Sequence, residues 1–369
     1  MKLLSIVIPT RGREYYCIEV IKDILSYKRK DFELVICDNS DSDQIEDYLV
    51  QNNDERVVYQ HIHGRINSVI NMDTAMRMAS GEYVCMIGDD DTILPEIFEV
   101  AEWARKNQYD NVTPRYMVTY RWPNAIGPLG TMDWPLYAND GSFKILDCEK
   151  QLKAFVNNGL LVYSDYLPRV YHGLVKRSVL DKVLMQTGHI IGGLSPDIYM
   201  SIATSCCCNQ FVSLFKPITI AGACHSSTTA ESNSGGHRGK IDNAPHLYKR
   251  GPYIWDTRIP RIYTVQTIWA ETAMKAFDEL KREDLAKSVN QGFLFAEMIR
   301  KNSTLINDIK ESVNNTVLIK SRIVVYIDFV WYYLSKSIKR IFRKKIKIKE
   351  LSDVKDISAA VKIYVEAHS

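Results

Sequence analysis

Apolar runs and amphipathic stretches alternate along the first hundred residues of the chain. Residues 3–8 are apolar, largely β-branched and stopped by Pro9, the pattern of a buried strand. Ile18, Ile21 and Leu25 then recur at helical spacing across residues 16–25. A second buried strand is predicted over 32–37, followed by the polar turn Asp38-Asn39-Ser40-Asp41-Ser42-Asp43. Ile45, Tyr48 and Leu49 predict a second helix, residues 57–59 a third strand, and residues 66–78 a third helix that Gly81 closes off. A fourth strand, 83–87, runs into Asp89-Asp90-Asp91, and Pro95 suits the first turn of a helix carrying Ile97, Phe98 and Ala101. Continuous apolar strands that alternate with helices predict an α/β fold, with a mostly parallel sheet covered on both faces. In such sheets ligands bind beyond the C-terminal strand ends. The polar clusters Pro9-Thr10-Arg11, Asp38 onward and Asp89 to Asp91 all fall at those ends.

The pattern changes in the second half. Trp122, Trp134 and Tyr137 lie in a Pro/Gly-rich stretch read as a loop, where each either stacks on a sugar ring or packs inside. Residues 218–225 read as a strand ending in polar residues, and 226–239 as a loop rich in Ser, Thr and Gly. Residues 263–277, 285–299 and those around Leu305 and Ile306 read as helices without a chemical signature. Residues 323–334 are apolar and aromatic but interrupted by Asp328, and too short to span a bilayer. They lead into Lys336, Lys339, Arg340, Arg343, Lys344, Lys345, Lys347 and Lys349, interleaved with isoleucines and Phe342. That mixture suits a helix lying in an anionic membrane interface; a solvated helix and a nucleic-acid patch are the alternatives. No nucleic-acid motif accompanies it, so a membrane surface is the expected partner and nucleic acid is not.

Composition narrows the picture little. With 369 residues, 46% hydrophobic and 25% charged, the chain can bury a sizeable core, which excludes intrinsic disorder. The net charge of +3 conceals acidic strand ends in the first half and the basic run near the end. None of the eight cysteines falls in a metal-binding spacing, and Cys37 and Cys85 sit in apolar runs as small hydrophobes. Reduced cysteines and an N-terminal apolar run too short for a signal peptide predict a cytoplasmic protein attached peripherally to the inner face of the membrane.

Three consecutive carboxylates repel one another unless a cation sits among them. Their oxygens suit Mn²⁺ or Mg²⁺, ions that commonly bridge to substrate phosphates. The alternative is an exposed acidic turn capping the next helix. Asp38 and Asn39 either bind a nucleobase edge or close the strand as an Asx turn. Arg65, and Arg11 or Arg13, carry the guanidinium geometry that pairs with a diphosphate, although single arginines are commonly solvated.

Four ordered motifs carry a family resemblance: Ser5-Ile-Val-Ile-Pro-Thr10, Phe32-Glu-Leu-Val-Ile-Cys-Asp-Asn-Ser40, Ala79-Ser-Gly-Glu-Tyr-Val84 and Gly88-Asp-Asp-Asp-Thr-Ile-Leu-Pro95. Over residues 3–105 the chain resembles the inverting family-2 glycosyltransferases with the GT-A fold. That fold is a Rossmann-like, mixed but mostly parallel sheet flanked by helices, here with a C-terminal helical extension. The resemblance implies nucleotide binding by the Pro9-Thr10 turn and by Asp38 and Asn39, beside which Arg11 and Arg65 are the expected diphosphate partners. It also implies a metal held by Asp90 and Asp91, with Asp89 facing the donor sugar. Asn39 departs from the usual second Asp, and Gly88 occupies the first position of the family's Asp-x-Asp-Asp.

An inverting transfer needs a base for the acceptor hydroxyl. Gly192-Gly193-Leu194-Ser195-Pro196-Asp197 resembles the family's Gly-rich loop and acidic helix start, with Pro196 at a position that is commonly acidic. Asp197 is therefore the expected base; the alternative is a capped helix with Pro at its first position and an Asp complementing the dipole. The segment from Tyr171 to Arg177 is expected to border the acceptor, and His225 or His237 to add a metal ligand. The expected donor is a nucleotide-diphospho-sugar, with UDP favoured. The expected acceptor is a glycan carried on a polyprenyl diphosphate, as in bacterial surface polysaccharides. The chain divides into a nucleotide-sugar half (1–110), an acceptor half (111–240), a helical extension (241–322), the membrane-contact segment (323–349) and a tail (350–369). A nucleotidyltransferase would need a Gly-rich phosphate loop after the first strand, where Thr10-Arg11-Gly12-Arg13 has one glycine. A non-catalytic sugar-nucleotide binder would bind without turnover.

Overall fold

The computed structural model describes residues 2–136, 140–161, 167–226, 239–241, 247, 253–302, 348–368 and scattered positions between 307 and 327. The elements begin as predicted, with β1 (Leu4–Thr10), α1 (Glu14–Leu25), β2 (Phe32–Asp38), α2 (Gln44–Gln51), β3 (Val57–His61), α3 (Ser68–Met78) and β4 (Tyr83–Met86). There follow β5 (Thr92–Ile93), α4 (Glu96–Lys106), β6 (Asn111–Pro114), β7 (Val118–Arg121), β8 (Thr131–Pro135) and β9 (Phe143–Asp147). Next come α5 (Cys148–Asn157), β10 (Leu174–Lys176), α6 (Arg177–Thr187), α7 (Pro196–Cys207), β11 (Gln210–Leu214) and β12 (Thr219–Ala223). The last described elements are β13 (Gly239–Lys240), β14 (Ile262–Tyr263), α8 (Val265–Glu279), α9 (Glu283–Lys287), α10 (Gln291–Lys301), β15 (Ile348–Ser352) and α11 (Ile357–Glu366).

The main sheet has the order β3-β2-β1-β4-β10-β6-β11-β9. β1 pairs in parallel with β2 and with β4, and β2 with β3, whereas β10 runs antiparallel to β4 and β6. Alternate residues of each strand face opposite sides. Leu4, Ile6, Ile8, Leu34 and Ile36 enter one core with α1 and α4, while Val7, Val35, Cys37, Val84 and Met86 enter another with α3 and α6. Burial on both faces explains why these strands read as continuous apolar runs rather than alternating ones. A third core, among α5, α7, α8 and α10, includes Phe155, Ile202 and Phe277.

A second sheet, β15-β8-β7-β12-β5, lies beyond the strand ends. It draws in residues that sequence patterning left in a loop. Trp134 sits on β8 at 2% exposure and Trp122 directly after β7 at 1%, so both pack inside rather than presenting a ring to solvent. The last residues, set apart as a tail by composition, join the same region. β15 pairs antiparallel with β8, and Val354, Ile357, Ala360 and Tyr364 are buried in the core that holds β1. The helix expected across 285–299 is two helices, because the Asn290 side chain accepts from the Phe293 N–H and starts α10 afresh. Among the described residues no helix is long and apolar enough to cross a membrane. Tyr137, His237, most of the loop after Ser226 and most of the segment 323–349 lie outside the described residues.

Candidate active site

The ends of β1, β2 and β4 meet because the three strands are hydrogen-bonded neighbours, with Thr10 opposite Asp38 and Val7 opposite Met86. Beyond β4 the chain turns through Gly88, where an added Cβ would lie 2.9 Å from Asp91 Oδ2 and 3.2 Å from Asp90 Oδ1. A glycine is needed there so that the carboxylates can fold back over the turn. All three aspartates are buried.

Each carboxylate has a different set of partners. Asp89 accepts from Thr10 Oγ1 at 2.7 Å and lies 3.0 Å from Arg13 Nε. Burial pushes its carboxyl up to about 7, Arg13 pulls down against that, and Asp90 pushes in the same direction as burial. Asp90 Oδ2 accepts from the Cys224 N–H at 3.0 Å and lies 3.5 Å from the Arg13 guanidinium, while its backbone carbonyl accepts from Trp122 Nε1. Burial raises its carboxyl as well, with the Asp91 charge adding to the effect. Asp91 is the most heavily engaged. Its Oδ2 accepts from the Gly88 N–H and the Tyr171 hydroxyl, both at 2.6 Å, and faces His172 Nε2 at 3.2 Å. Its Oδ1 accepts from the Gly222 N–H at 2.7 Å. Burial pushes the Asp91 carboxyl up, but His172, Tyr171 and the Gly88 N–H outweigh it and hold the group below the usual carboxylate range.

These contacts separate the roles available to the triplet. Asp91 has donors on both oxygens and serves as an anionic strut between the β4 turn, the Tyr171-His172 segment and β12. Asp89 Oδ1 makes no hydrogen bond but faces Arg13 at 3.0 Å, and Asp90 Oδ1 has no donor among the described residues, so Asp90 is the carboxylate with an oxygen to offer a cation. Mg²⁺ sites commonly use one or two carboxylates together with substrate phosphates, a donor set that Asp90 fits without the three side chains converging. Arg13 lies across Asp89 and Asp90 and is the cation that offsets them in this state.

A second cluster occupies the ends of β1, β2 and β3. Asp38 Oδ1 accepts from the Ser40 N–H, an Asx turn, and Oδ2 from the Tyr59 hydroxyl. Asn39 donates through Nδ2 to the carbonyls of Ile62 and Gly64, and its Oδ1 accepts from the Ile66 N–H and from Arg11. Arg11 also donates to the Asn39 carbonyl and pairs with Asp41 at 3.0 Å, and Ser40 Oγ accepts from the Gly12 N–H. Pro9 lies opposite Cys37, and the exposed Arg65 follows Gly64. Asn39 therefore ties the β2 turn to the segment after β3, which carries Arg65.

Of the remaining candidates, Asp197 begins α7 behind Pro196, and its charge acts on the buried Tyr171 hydroxyl, which bonds Asp91. His225 follows Cys224, is exposed, and its Nδ1 lies 3.2 Å from the Tyr16 hydroxyl. Sequence reasoning missed the anchoring of Asp91 by Tyr171, His172 and Gly222, and the Cys224 N–H on Asp90. One local signal existed: a glycine between two alanines in a strand marks close backbone approach. A Cβ at Gly222 would lie 1.7 Å from the Asp90 carbonyl oxygen.

Residues 5–171 match the family model described as glycosyl transferase family 2. Among curated proteins, one from Escherichia coli K12 named as a colanic acid biosynthesis glycosyl transferase, WcaA, is 34% identical over 102 residues, which are 27% of this chain and 36% of that protein. The GalNAc(5)-diNAcBac-PP-undecaprenol beta-1,3-glucosyltransferase of Campylobacter jejuni is 31% identical over 99 residues, 26% of this chain and 31% of its own length. The chain thus spans about a third of the length of the curated relatives it matches. Among solved structures, S. aureus TarS 1–349 in complex with UDP-GlcNAc is 13% identical, with a TM-score of 0.49 over 85% of this chain and 90% of that one.

Proposed function

We propose, from the match of residues 5–171 to the family model described as glycosyl transferase family 2, that this chain belongs to that family and moves a sugar from a nucleotide-diphosphate donor, a UDP-sugar, to a lipid-linked glycan with inversion. The observation that carries this reading is the buried triplet Asp89-Asp90-Asp91 at the strand ends, with one carboxylate oxygen left to a cation and Arg13 beside it. The nucleotide lies over the turn built by Thr10, Arg11, Asp38 and Asn39, with Arg65 at its margin. Asp90 holds Mn²⁺ or Mg²⁺, which when bound offsets the charge of the departing diphosphate; His225 is the further candidate ligand. Asp91, fixed by four donors, keeps the turn rigid so that Asp90 meets the diphosphate in one orientation. Asp197 accepts the proton of the acceptor hydroxyl as its oxygen attacks the anomeric carbon from the face opposite the diphosphate, which inverts that centre.

Two observations support a lipid-linked acceptor at a membrane surface. The Campylobacter relative is named for an undecaprenol-diphosphate-linked glycan, and the basic, aromatic segment 323–349 suits an anionic interface. A donor-hydrolysis assay with and without Mn²⁺ tests the reading. Activity should require the ion and fall by about 10²-fold or more in Asp90→Ala, comparable to losing a principal electrostatic stabiliser. Turnover unaffected by chelator and by Asp90→Ala would remove the metal role. Asp197→Asn should abolish transfer while sparing UDP affinity, and full transfer by that variant would exclude it as the base.

A further inference from the structure

A cluster that the proposed reaction does not use lies at the C-terminal end of β3, where His61 stands opposite Asp38. His61 is the last residue of that strand, His63 follows two positions on, and Asp43 stands immediately before α2, whose first turn carries Glu46. The ligand atoms of Asp43, His61 and His63 all lie within 4.8 Å of one another, and the two imidazole centroids are 4.3 Å apart.

The tautomer of His61 gives the cluster its meaning. Its Nε2 lies 3.1 Å from the Ser40 carbonyl, an oxygen that can only accept, so Nε2 carries the proton. When the ring is neutral Nδ1 presents a lone pair; burial opposes a second proton there, while the Ser40 carbonyl and the Asp38, Glu46 and Asp43 carboxylates raise the imidazole above its ordinary value. That side chain is 5% exposed, and Nδ1 is buried with no hydrogen-bond partner, yet it faces Asp43 Oδ1 at 3.4 Å and Glu46 Oε2 at 3.5 Å. A lone pair pointed at two carboxylates is repulsive unless something positive lies between them. A proton on Nδ1 would draw the carboxylates to about 2.7–2.9 Å, the usual length of a charge-assisted bond. A tetrahedral ion with bonds of roughly 2.0–2.1 Å instead spaces its ligand atoms about 3.3–3.4 Å apart, which matches the 3.4 Å between His61 Nδ1 and Asp43 Oδ1, with the His63 ligand atom within 4.8 Å of both.

We propose that Asp43, His61 and His63, with Glu46 or water in the fourth position, bind a divalent transition ion of the Zn²⁺ or Co²⁺ type. Two imidazoles and a carboxylate suit such an ion better than Mg²⁺, which prefers an all-oxygen octahedron. The Ser40 carbonyl acts on the outer nitrogen of His61 as the orienting partner that metal-bound imidazoles commonly have. Because Ser40 also receives the Gly12 N–H through Oγ and bonds Asp38 through its own N–H, the ion braces the turn that the β1 and β2 ends share.

The test is titration of the full chain with Co²⁺, read by visible absorption of the tetrahedral ion. His63 and Asp43 are exposed, so His63→Ala and Asp43→Asn leave the core intact, which thermal melting in chelator checks. The expected result is one equivalent of Co²⁺ with tetrahedral bands, displaced by Zn²⁺, retained in Asp90→Ala and weakened at least about tenfold in both His63→Ala and Asp43→Asn. Absence of binding, an octahedral spectrum, or affinity unchanged in either of those two variants overturns the proposal. Loss of the bands in Asp90→Ala would assign the ion to the triplet instead and overturn it equally.

Discussion

Gly222→Ala is a single-methyl perturbation that reaches Asp90 and Asp91 of the triplet. A Cβ there would stand 1.7 Å from the Asp90 carbonyl oxygen and 2.5 Å from its carbon, both backbone atoms that no rotamer change can move away. Opening the shorter gap to the 3.0 Å that real Cβ contacts respect takes a shift of about 1.3 Å between β12 and the Asp90 turn. That shift breaks the Gly222 N–H bond to Asp91 Oδ1 (2.7 Å) and the neighbouring Cys224 N–H bond to Asp90 Oδ2 (3.0 Å). Hydrogen bonds to charged groups contribute about 1.5–3 kcal/mol each, so the loss is about 3–6 kcal/mol if neither is remade. Against a typical total of about 5–15 kcal/mol this is severe. Displacing a positioned group by about 1 Å also costs on the order of 10²-fold in rate. Urea unfolding followed by tryptophan fluorescence reads the first effect, since Trp122 donates to the displaced Asp90 carbonyl, and donor hydrolysis reads the second. An unfolding midpoint equal to that of the unaltered protein, together with turnover within about twofold, would refute the close-approach argument.

Other substitutions probe separate parts of the molecule. In Arg13→Gln the buried Asp89 loses the cation at 3.0 Å, so its carboxyl rises beyond about 7 and the folded state holds that proton more firmly. Its stability deficit relative to the unaltered protein should therefore widen as pH rises from about 5.5 to about 8.5, and a deficit independent of pH would contradict this. Glu271 is buried in α8, accepts the Asp256 N–H, and is pushed up to about 7 by burial. The folded state keeps a proton that the unfolded state releases, so this group's contribution falls as pH rises from the usual Glu value to about 7. Glu271→Gln should flatten that slope in melting curves. Tyr364 is 1% exposed and its hydroxyl is buried without a hydrogen-bond partner. Tyr364→Phe should be neutral or stabilising, whereas Tyr364→Ala should cost about 3–5 kcal/mol by leaving a cavity between α11 and the β8 region; equal melting of the two variants would refute its packing role.

The legible parts of the fold were those whose information is local. Strands β1, β2 and β4 bury both faces, so each is a continuous apolar run, and the first polar residues after each run mark the sheet edge, the place where parallel α/β sheets generally bind ligands. Of the second sheet only β12 was legible, inside the strand predicted over 218–225. β7 and β8 are short, with Trp122 and Trp134 beside glycines and prolines, and β15 follows a basic run that reads as surface. Trp134 is buried where β15 pairs with β8 and Tyr364 meets its ring, more than two hundred residues away in the chain, and Trp122 is covered by Tyr16 of α1.

The candidate site divides along the same line. Which carboxylates stand at the strand end, and that Thr10, Asp38 and Asn39 stand beside them, follow from the sequence, because a strand buried on both faces is a continuous apolar run and its first polar residues mark where it leaves the core. The carboxylate left available to a cation was decided by contacts. Asp91 is saturated by Tyr171, 80 positions away, and by Gly222, 131 positions away, and Asp90 is held by Cys224. Donors brought in from such distances leave no periodic trace, so the sequence alone determined where charge accumulates, and only the tertiary structure decided which oxygens remain to act.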